Sequence, residues 1–308
     1  MNLLSAPLSN RFISITGPDA VKFLQGQASC DLNELDEKAF SYGTLNTPKG
    51  RIYCLFKVLK TEDGLLLSMD ESLLDSTLQK LSKYAVFFKC ELKEDLTYEA
   101  LGITSDESNH YGEFLKTINL DKEIISNCIN ENDSYWLNIS CQKNLCEAWI
   151  KKGTTKPFSL DHSKIISHQD WQALVTNCGI PEIYNSSQEE FILQFINLQQ
   201  LGAVSFKKGC YTGQEIIARM KFLGKQKKMA YLLHSEQKCI QEPLAPTYNK
   251  DGAKCGTLIR SHWSEKTGSV ALCILPMESA LSLGGVFLND SSSFPFSVTE
   301  IDYSEYKK

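Results

Sequence analysis

Apolar residues recur at every second position in several segments of the first half of the chain, which is the spacing of β-strands with one buried face. The segment 52–58 shows this pattern, with Ile52, Cys54, Phe56 and Val58 on the buried face and Tyr53, Leu55 and Lys57 on the opposite face. Comparable segments predict further strands at 11–15, 65–69, 86–92, 98–104, 135–139 and 146–150. Strands therefore dominate this region, and the helices between them make it an α+β module.

Helical spacing, with apolar residues three and four positions apart, is found in shorter segments. One helix is predicted after Gly17, another is predicted to be capped by Ser72, and a weaker one lies near 112–117. A further helix opens at Ser167 and ends at Gly179, because glycine is typical of helix ends.

Beyond Gly224, which is itself a natural helix stop, the pattern changes to short strands separated by Gly, Pro, Asn and Ser clusters. These strands are predicted at 229–234, 257–260, 269–275 and 296–301. Short strands with frequent turns are typical of a small all-β barrel or sandwich. We therefore expect a boundary between Gly224 and Lys228, with an α+β unit over 1–224 and a β-barrel over 225–308.

The composition indicates a folded protein that neither enters membranes nor binds nucleic acid over its whole surface. Of the 308 residues 42% are hydrophobic, enough to form a core, and the net charge is -5. No apolar run reaches the roughly 18 residues of a membrane span. No secretion signal is recognised, and the 11 cysteines are odd in number and scattered, as a reducing cytosol permits. A cytoplasmic location is expected.

Motifs for metals and nucleotides are not found in the sequence. Cys141 and Cys146 are separated by four residues, as in one pair of iron–sulfur ligands, but no matching second pair accompanies them. His162 and His168 flank a helix start and are interpreted as surface residues. No glycine-rich phosphate loop follows a strand. We therefore expect no bound metal.

The stretch richest in chemistry is 207–215, with the sequence Lys-Lys-Gly-Cys-Tyr-Thr-Gly-Gln-Glu. Thr212 and Glu215 have the spacing of a capping box at a helix N-terminus, which would place Cys210 just ahead of that helix. The positive end of the helix and Lys208 both favour thiolate over thiol, and the thiolate is the nucleophile and metal ligand. The alternative, an inert buried cysteine, stays open.

Basic residues are concentrated between 207 and 228, where Glu215 is the one acid. They are Lys207, Lys208, Arg219, Lys221, Lys225, Lys227 and Lys228. In a chain of negative net charge, this cluster is interpreted either as an anion site or as a solvated helix face. Folate carboxylates and RNA phosphates would both fit an anion site. Direct RNA binding is not expected from the overall charge, but the cluster leaves it open.

Residues 208–215, KGCYTGQE, resemble the signature of the YgfZ-type folate-binding protein family. That family is related in fold to the aminomethyltransferase, or T-protein, of the glycine cleavage system. The resemblance extends over most of the chain, through 17–27, 48–51, 179–181 and 197–206. It implies a three-part ring: two intertwined α+β subdomains, the middle one over roughly 45–150, form the folate-binding unit, and a β-barrel closes the ring.

The resemblance also implies roles for single residues. The family's functional cysteine and lysine fall on Cys210 and Lys208. In the related aminomethyltransferases a glutamate at the place of Asn177 contacts the pterin ring, and an amide there can donate and accept hydrogen bonds. The residues expected to contact tetrahydrofolate are Asn177, Gln199, Tyr211, Gln214 and Glu215.

The leading hypothesis is a tetrahydrofolate-binding accessory protein without enzymatic turnover of its own, which supports assembly or repair of iron–sulfur enzymes, including tRNA methylthiolation. Its partners would be those enzymes or their assembly proteins. A folate-dependent aminomethyltransferase is the first alternative, which needs a carboxylate beside the folate; the strand at 98–104 offers only Glu99 near its start. A cysteine hydrolase, which needs a histidine at Cys210, is the second.

Overall fold

The computed structural model describes residues 3–105, 113, 114, 116, 128–131, 133–140, 142–154, 160, 163–224, 226–289 and 294–306. The chain divides into two compact units. Unit 1 comprises 1–25, 31–42 and 56–171, and unit 2 comprises 26–30, 43–55 and 172–308. Two early segments of the chain thus belong to the same unit as its C-terminal half. The domain boundary expected near Gly224 stays a prediction.

The described residues form sheets with few helices, which confirms the predicted α+β class. The strands are β1 (Leu3–Leu8), β2 (Arg11–Thr16), β3 (Phe40–Asn46), β4 (Ile52–Thr61), β5 (Gly64–Met69), β6 (Glu91–Glu94), β7 (Tyr98–Ser105), β8 (Cys128–Glu131), β9 (Ser134–Ser140), β10 (Leu145–Lys151), β11 (Lys164–Ile165), β12 (Lys228–Ser235), β13 (Pro246–Tyr248), β14 (Lys254–Ser264), β15 (Gly268–Pro276) and β16 (Ser297–Thr299). The α-helices are α1 (Ala20–Gln25), α2 (Leu74–Ala85), α3 (His168–Asn177) and α4 (Gln214–Phe222). None of them is long and apolar enough to cross a membrane, within the ranges that the structure describes.

A six-stranded sheet in unit 1 runs in the order β11-β1-β7-β10-β9-β8. Its pairs are antiparallel except β1 with β11. Strand β1 is missing from the sequence prediction, because its sequence LLSAPL has no apolar alternation and contains Pro7. The core under this sheet includes Ile103, Trp136 and Ala148.

A five-stranded sheet runs in the order β3-β4-β5-β2-β6. The strand predicted at 52–58 is part of β4, but it is buried on both faces rather than one. Tyr53 and Leu55, expected on a solvated face, are 7% and 3% exposed. The strand predicted at 86–92 is mostly wrong, since β6 begins only at Glu91 and Phe87 lies in an exposed turn after α2.

The third sheet lies in unit 2 and runs in the order β13-β14-β15-β12-β16, with every pair antiparallel. The all-β character predicted for this region is confirmed, but among its described residues the sheet is not closed into a barrel. Its edge strands β13 and β16, of three residues each, pair with β14 and β12 and not with one another in the described part of the chain. Isolated bridges join Tyr248 to Phe287 and Val286 to Phe296, and the core includes Leu233 and Cys273.

Helix ends follow the predicted signals only in part. At α3, Ser167 Oγ accepts a hydrogen bond from Asp170 N–H at 3.0 Å, and the Asp170 carboxylate accepts from Ser167 N–H at 3.2 Å, so this N-terminus is capped as expected. At α2 the predicted Ser72 cap is wrong. Asp70 instead accepts from Ser72 N–H at the start of a 3-10 turn that precedes the helix. The helix predicted near 112–117 lies largely outside the described residues.

Candidate functional site

Helix α4 begins at Gln214, and the residue before it, Gly213, has a φ of 84°. No side chain caps this end, so the capping box predicted for Thr212 and Glu215 is wrong. The helix starts one residue later than that box requires. The Thr212 hydroxyl instead lies 3.4 Å from Gln27 Oε1, which accepts its hydrogen bond, while Glu215 is exposed in the first turn.

Gly213 is required at this helix start because a turn of the chain approaches it closely. A Cβ placed on Gly213 would lie 2.6 Å from Thr47 O, and a positive φ disfavours any other residue. Gly50, at the end of the same turn, has a φ of 69°, and a Cβ there would lie 2.9 Å from Ile216 Cβ. The turn 47–50 therefore packs directly on the first turn of α4, which explains why both motifs carry glycine.

Lys208 is buried, with 8% of its surface exposed. Its ammonium donates hydrogen bonds to Ala28 O at 2.9 Å and to Cys30 O at 2.7 Å, and it lies 5.3 Å from the centroid of the Tyr211 ring. Carbonyl dipoles and the ring face stabilise its charge. Lys208 thus attaches the signature to the segment 26–30, and its predicted effect on the Cys210 thiol stays a prediction.

A chain of buried polar side chains runs beside this attachment. Ser29 Oγ donates to Ala203 O at 2.5 Å and accepts from the Thr44 hydroxyl at 2.8 Å. Thr44 Oγ1 in turn accepts from Asn46 Nδ2 at 2.9 Å. The other end of this amide, Asn46 Oδ1, is buried and has no partner within the described residues.

Tyr211 is 6% exposed, and its backbone N–H donates to Gln214 Oε1 at 3.2 Å. Burial, with a smaller contribution from Cys30, raises the pKa of Tyr211 to about 12. The phenol therefore keeps its proton at physiological pH, and its hydroxyl has no partner among the described residues. It remains available as a buried hydrogen-bond donor.

Two glutamines add further unused acceptors to unit 2. Gln194 Nε2 donates to Ile217 O at 2.6 Å, but its Oε1 is buried without a partner in the described part of the chain. The same holds for Gln199 Oε1. Buried polar atoms are nearly always paired, with protein, water or ligand. In the described part of unit 2, three buried acceptors and one buried hydroxyl are therefore left for a water molecule or a ligand to pair with. Sequence reasoning missed Asn46 and Gln194.

Cys210 is exposed, whereas the other cysteines in the described ranges are buried or of intermediate exposure. Cys141 lies outside those ranges. Burial raises the pKa of Cys128 and of Cys273 to about 12, which keeps these thiols protonated and unreactive. The Cys210 sulfur makes no hydrogen bond to any described residue. The alternative of a buried, inert cysteine is therefore not supported by its exposure.

Asn177 is the last residue of α3 and is half-buried. Its side-chain amide makes no hydrogen bond within the described residues. No hydrogen bond joins Asn177 or Gln199 to the signature. The structure thus places Lys208 beside the Tyr211 ring and joins the Tyr211 N–H to Gln214. Among the described residues it shows no such contact with the signature for Asn177 or Gln199, and none for Glu215.

Histidines and metal ligands do not gather at the signature in the described part of the chain. His168 Nδ1 lies 3.4 Å from Pro7 O, and His234 Nε2 lies 2.7 Å from Thr267 O. His262 accepts from Arg260 Nε at 3.2 Å. No group of three His, Cys, Asp or Glu side chains there could hold a metal ion. His162, predicted as a surface residue, lies outside the described ranges.

The fold is shared with a solved structure of the glycine cleavage system aminomethyltransferase T from Bartonella henselae. The TM-score is 0.68, and the likeness covers 91% of this chain and 80% of that chain at 14% sequence identity. The protein therefore has an aminomethyltransferase T-like fold, as predicted.

Similarity to curated proteins indicates which family within this fold class the chain belongs to. No protein-family model matches the chain. It is 33% identical over 236 residues to the tRNA-modifying protein YgfZ of Hamiltonella defensa, covering 72% of this chain and 66% of that protein. It is 29% and 28% identical to the tRNA-modifying proteins YgfZ of two Aliivibrio fischeri strains, covering 86% of this chain and 82% of each relative. The chain belongs to the YgfZ family.

Proposed function

We propose that the protein binds tetrahydrofolate and supports tRNA modification through the upkeep of iron–sulfur enzymes, with Cys210 as its functional thiol. The observation that carries the proposal is the difference in exposure between neighbouring residues of the signature. Lys208 and Tyr211 are buried and held by neighbouring residues, while Cys210 is presented at the surface. The names of the relatives supply the link to tRNA.

The residues of unit 2 fit a folate. A reduced pterin presents an amino group, ring N–H groups and a carbonyl along its edge, so it needs both acceptors and donors. Asn46 Oδ1 and Gln199 Oε1 are unused acceptors, and the Tyr211 hydroxyl is an unused donor. The amide of Asn177 can serve as either. When bound, tetrahydrofolate supplies a carrier of one-carbon units.

Cys210 fits a role in transient contact with a client enzyme. An exposed thiol without a hydrogen-bonded partner can reach another protein, whereas a buried one cannot. The thiolate form binds iron and attacks sulfur. The fixed backbone on either side, held by Lys208 and by the Tyr211 N–H, keeps the thiol at one place on the surface.

A folate-dependent aminomethyltransferase has less support. Among the described residues Glu147 is the one buried acidic side chain. Its two oxygens are already engaged, Oε2 with Lys57 Nζ at 2.7 Å and Oε1 with Trp149 Nε1 at 2.8 Å. A carboxylate held in this way is a structural group rather than a general base. Likewise, no described histidine contacts Cys210, as a cysteine hydrolase would need.

Calorimetry with tetrahydrofolate tests the ligand. The wild-type protein should bind, and Tyr211→Phe should weaken binding about 2- to 10-fold, the loss of one neutral hydrogen bond. Tyr231→Phe, a buried tyrosine of the β12 core, is the matched control and should bind normally. A decline of affinity with added salt would assign the acidic tail to cationic side chains. No binding by the wild-type protein would overturn the folate proposal.

Complementation tests the thiol. In cells lacking the native protein, Cys210→Ser should fail to restore tRNA methylthiolation, while the same change at the less exposed Cys239 should restore it. Calorimetry should show normal tetrahydrofolate binding by Cys210→Ser. Full complementation by Cys210→Ser would remove the thiol from the proposed function.

A further inference from the structure

The last turn of α4 exposes large apolar side chains that the proposed function does not use. Phe222 is 66% and Leu223 is 83% exposed. Neither side chain is needed to end the helix, since the Leu223 and Gly224 N–H groups both donate to Arg219 O. Largely exposed Phe and Leu side by side on a surface mark a place of contact with another molecule.

The exposed ring is held in an ordered arrangement. Lys221 Nζ lies 3.7 Å from the centroid of the Phe206 ring and 5.7 Å from that of Phe222. The two rings meet edge to face, with centroids 6.1 Å apart and an interplanar angle of 80°. Lys221 is within cation–π distance of both rings, so these contacts favour one orientation of the Phe222 ring.

Basic residues are concentrated close to these rings in the sequence. Five basic side chains among the described residues of 207–228 are exposed, and the acid in that range, Glu215, lies in the first turn of α4, away from its end. Buried Lys208 is not among them. The basic residues are Lys207, Arg219, Lys221, Lys227 and Lys228. With Phe206, Phe222 and Leu223 they form what we name the basic aromatic surface.

Favourable interaction with the helix dipole explains the presence of only some of these basic residues. Arg219 and Lys221 lie in the last turn of α4, where cations are favourable. Lys207, Lys227 and Lys228 lie outside the helix, and the helix dipole does not explain the exposure of the Phe222 ring. The cluster is also local, since the whole chain has a net charge of -5.

We propose that the basic aromatic surface binds RNA directly, with its cations on phosphates and Phe222 stacked on an unpaired base. Cationic side chains that follow a backbone, interleaved with exposed aromatic rings, are the features by which proteins hold single-stranded nucleic acid. A polyanion complements five cations, whereas a folate tail offers only a few carboxylates. The proposal deepens the proposed function, on which it rests, by naming tRNA as a direct partner.

The test is fluorescence anisotropy of the full-length protein with a labelled 17-nucleotide RNA hairpin that carries a seven-nucleotide loop. Phe222→Ala should weaken binding about 5- to 100-fold, the value of one stacked base. Lys221→Glu should also weaken it and reduce the slope of log affinity against log salt by about 1. Binding to a fully paired RNA duplex should be weaker than to the hairpin.

Two control variants make the same changes elsewhere. Phe87→Ala removes an 80% exposed phenylalanine of unit 1, and Lys250→Glu reverses an exposed charge of unit 2; both should bind RNA like the wild type. Phe222→Ala should bind tetrahydrofolate with the affinity of the wild type. Calorimetry measures this affinity, and normal binding shows that the variant is folded.

Three results would overturn the proposal. They are no RNA binding by the wild type, RNA binding that Phe222→Ala and Lys221→Glu leave unchanged, and equal binding to hairpin and duplex. If tetrahydrofolate still binds in these cases, the proposed function stands without direct RNA contact. If the wild-type protein does not bind tetrahydrofolate, that result would instead count against the proposed function itself.

Discussion

The two units differ in how the charge of a buried basic side chain is stabilised. In unit 1, Lys57 and Glu147 form an ion pair at 2.7 Å, with side chains 14% and 4% exposed. In unit 2, Arg260 is 1% exposed and donates to Ile180 O, to Gln172 Oε1 and to His262 Nε2, none of which is an acid. Opposite charges thus cancel inside unit 1, whereas unit 2 keeps a buried positive charge held by neutral acceptors.

This difference bears on function. A buried pair presents little field to its surroundings, because the two charges compensate each other at short range. A buried cation without an acid in contact leaves its field to act on anions nearby. The unit that carries the signature, the unused acceptors and the basic aromatic surface is therefore also the one in which buried Arg260 is held by neutral acceptors.

The largest expected effect is at the ion pair. Glu147→Ala leaves Lys57 charged and buried without its acid, and it removes the acceptor of Trp149, so the free energy of unfolding should fall by about 3–5 kcal/mol. Urea denaturation monitored by tryptophan fluorescence measures it. The double variant Lys57→Met with Glu147→Leu should recover most of the loss. A double variant as unstable as the single one would show that the two charges are not coupled.

Arg260→Leu should cost less, about 2–3 kcal/mol, because it leaves neutral acceptors unpaired but no unpaired charge. The same denaturation experiment applies, with Arg260→Lys as the variant that keeps the charge and loses the planar fork. If Arg260→Leu is as damaging as Glu147→Ala, the distinction between the two units is wrong.

A substitution that changes no charge gives a reference value for the loss of stability in unit 2. Gly213→Ala forces a residue with a Cβ into a φ of 84° and within 2.6 Å of Thr47 O, so it should destabilise by about 1–3 kcal/mol. Gly252→Ala is the matched control, since Gly252 has a φ of 75° but no atom within 4 Å of an added Cβ. Equal losses for both would mean that the close approach of the turn 47–50 contributes nothing.

The fold was largely predictable, because the strand pattern is a local property of the chain. Strands β9 and β10 lie within one residue of the ranges 135–139 and 146–150 that alternation predicts. The errors fall where the pattern is ambiguous. The run that contains Val86 and Phe87 is typical of a strand, yet those residues form the exposed turn that follows α2.

The candidate site was predictable only where its residues are contiguous. The signature stands out in the sequence, but its geometry depends on distant partners. Ala28 and Cys30, which accept hydrogen bonds from Lys208, lie 180 and 178 positions away, so no local pattern could indicate that Lys208 is buried. Asn46 and Gln194 carry no signal of their own, because an unused acceptor is recognised only once its surroundings are known.

Alkaline pH offers a smaller test of the interior of unit 2. Tyr211 has a pKa of about 12 in the folded chain against an ordinary value of 10.0. Above pH 10 the unfolded chain releases this proton first, so stability falls as the pH rises. Tyr211→Phe removes this contribution and should become relatively more stable than the wild type, by about 1–2 kcal/mol at pH 11. Parallel stability curves from pH 9 to 11 would contradict it.

The smallest expected effect on stability is at the surface. Cys210→Ser should change the free energy of unfolding by less than about 0.5 kcal/mol. In the native wild-type protein, N-ethylmaleimide should label Cys210 before any other described cysteine, and buried Cys146 last, since burial raises the pKa of the Cys146 thiol. Mass spectrometry ranks the rates. Faster labelling of Cys239 than of Cys210 would be the contrary result.

The hydrogen bond between Lys208 and Ala28 has a consequence for how the protein is made. A ribosome adds roughly 5–20 residues per second, so the 180 positions between the two residues correspond to a delay of roughly 9–36 s. During that interval the segment 26–30 has its nearby partner Thr44 but lacks its distant partners Ala203 and Lys208. Unit 2 can therefore be completed only near the end of translation, and chains that stop early would depend on chaperones or be degraded.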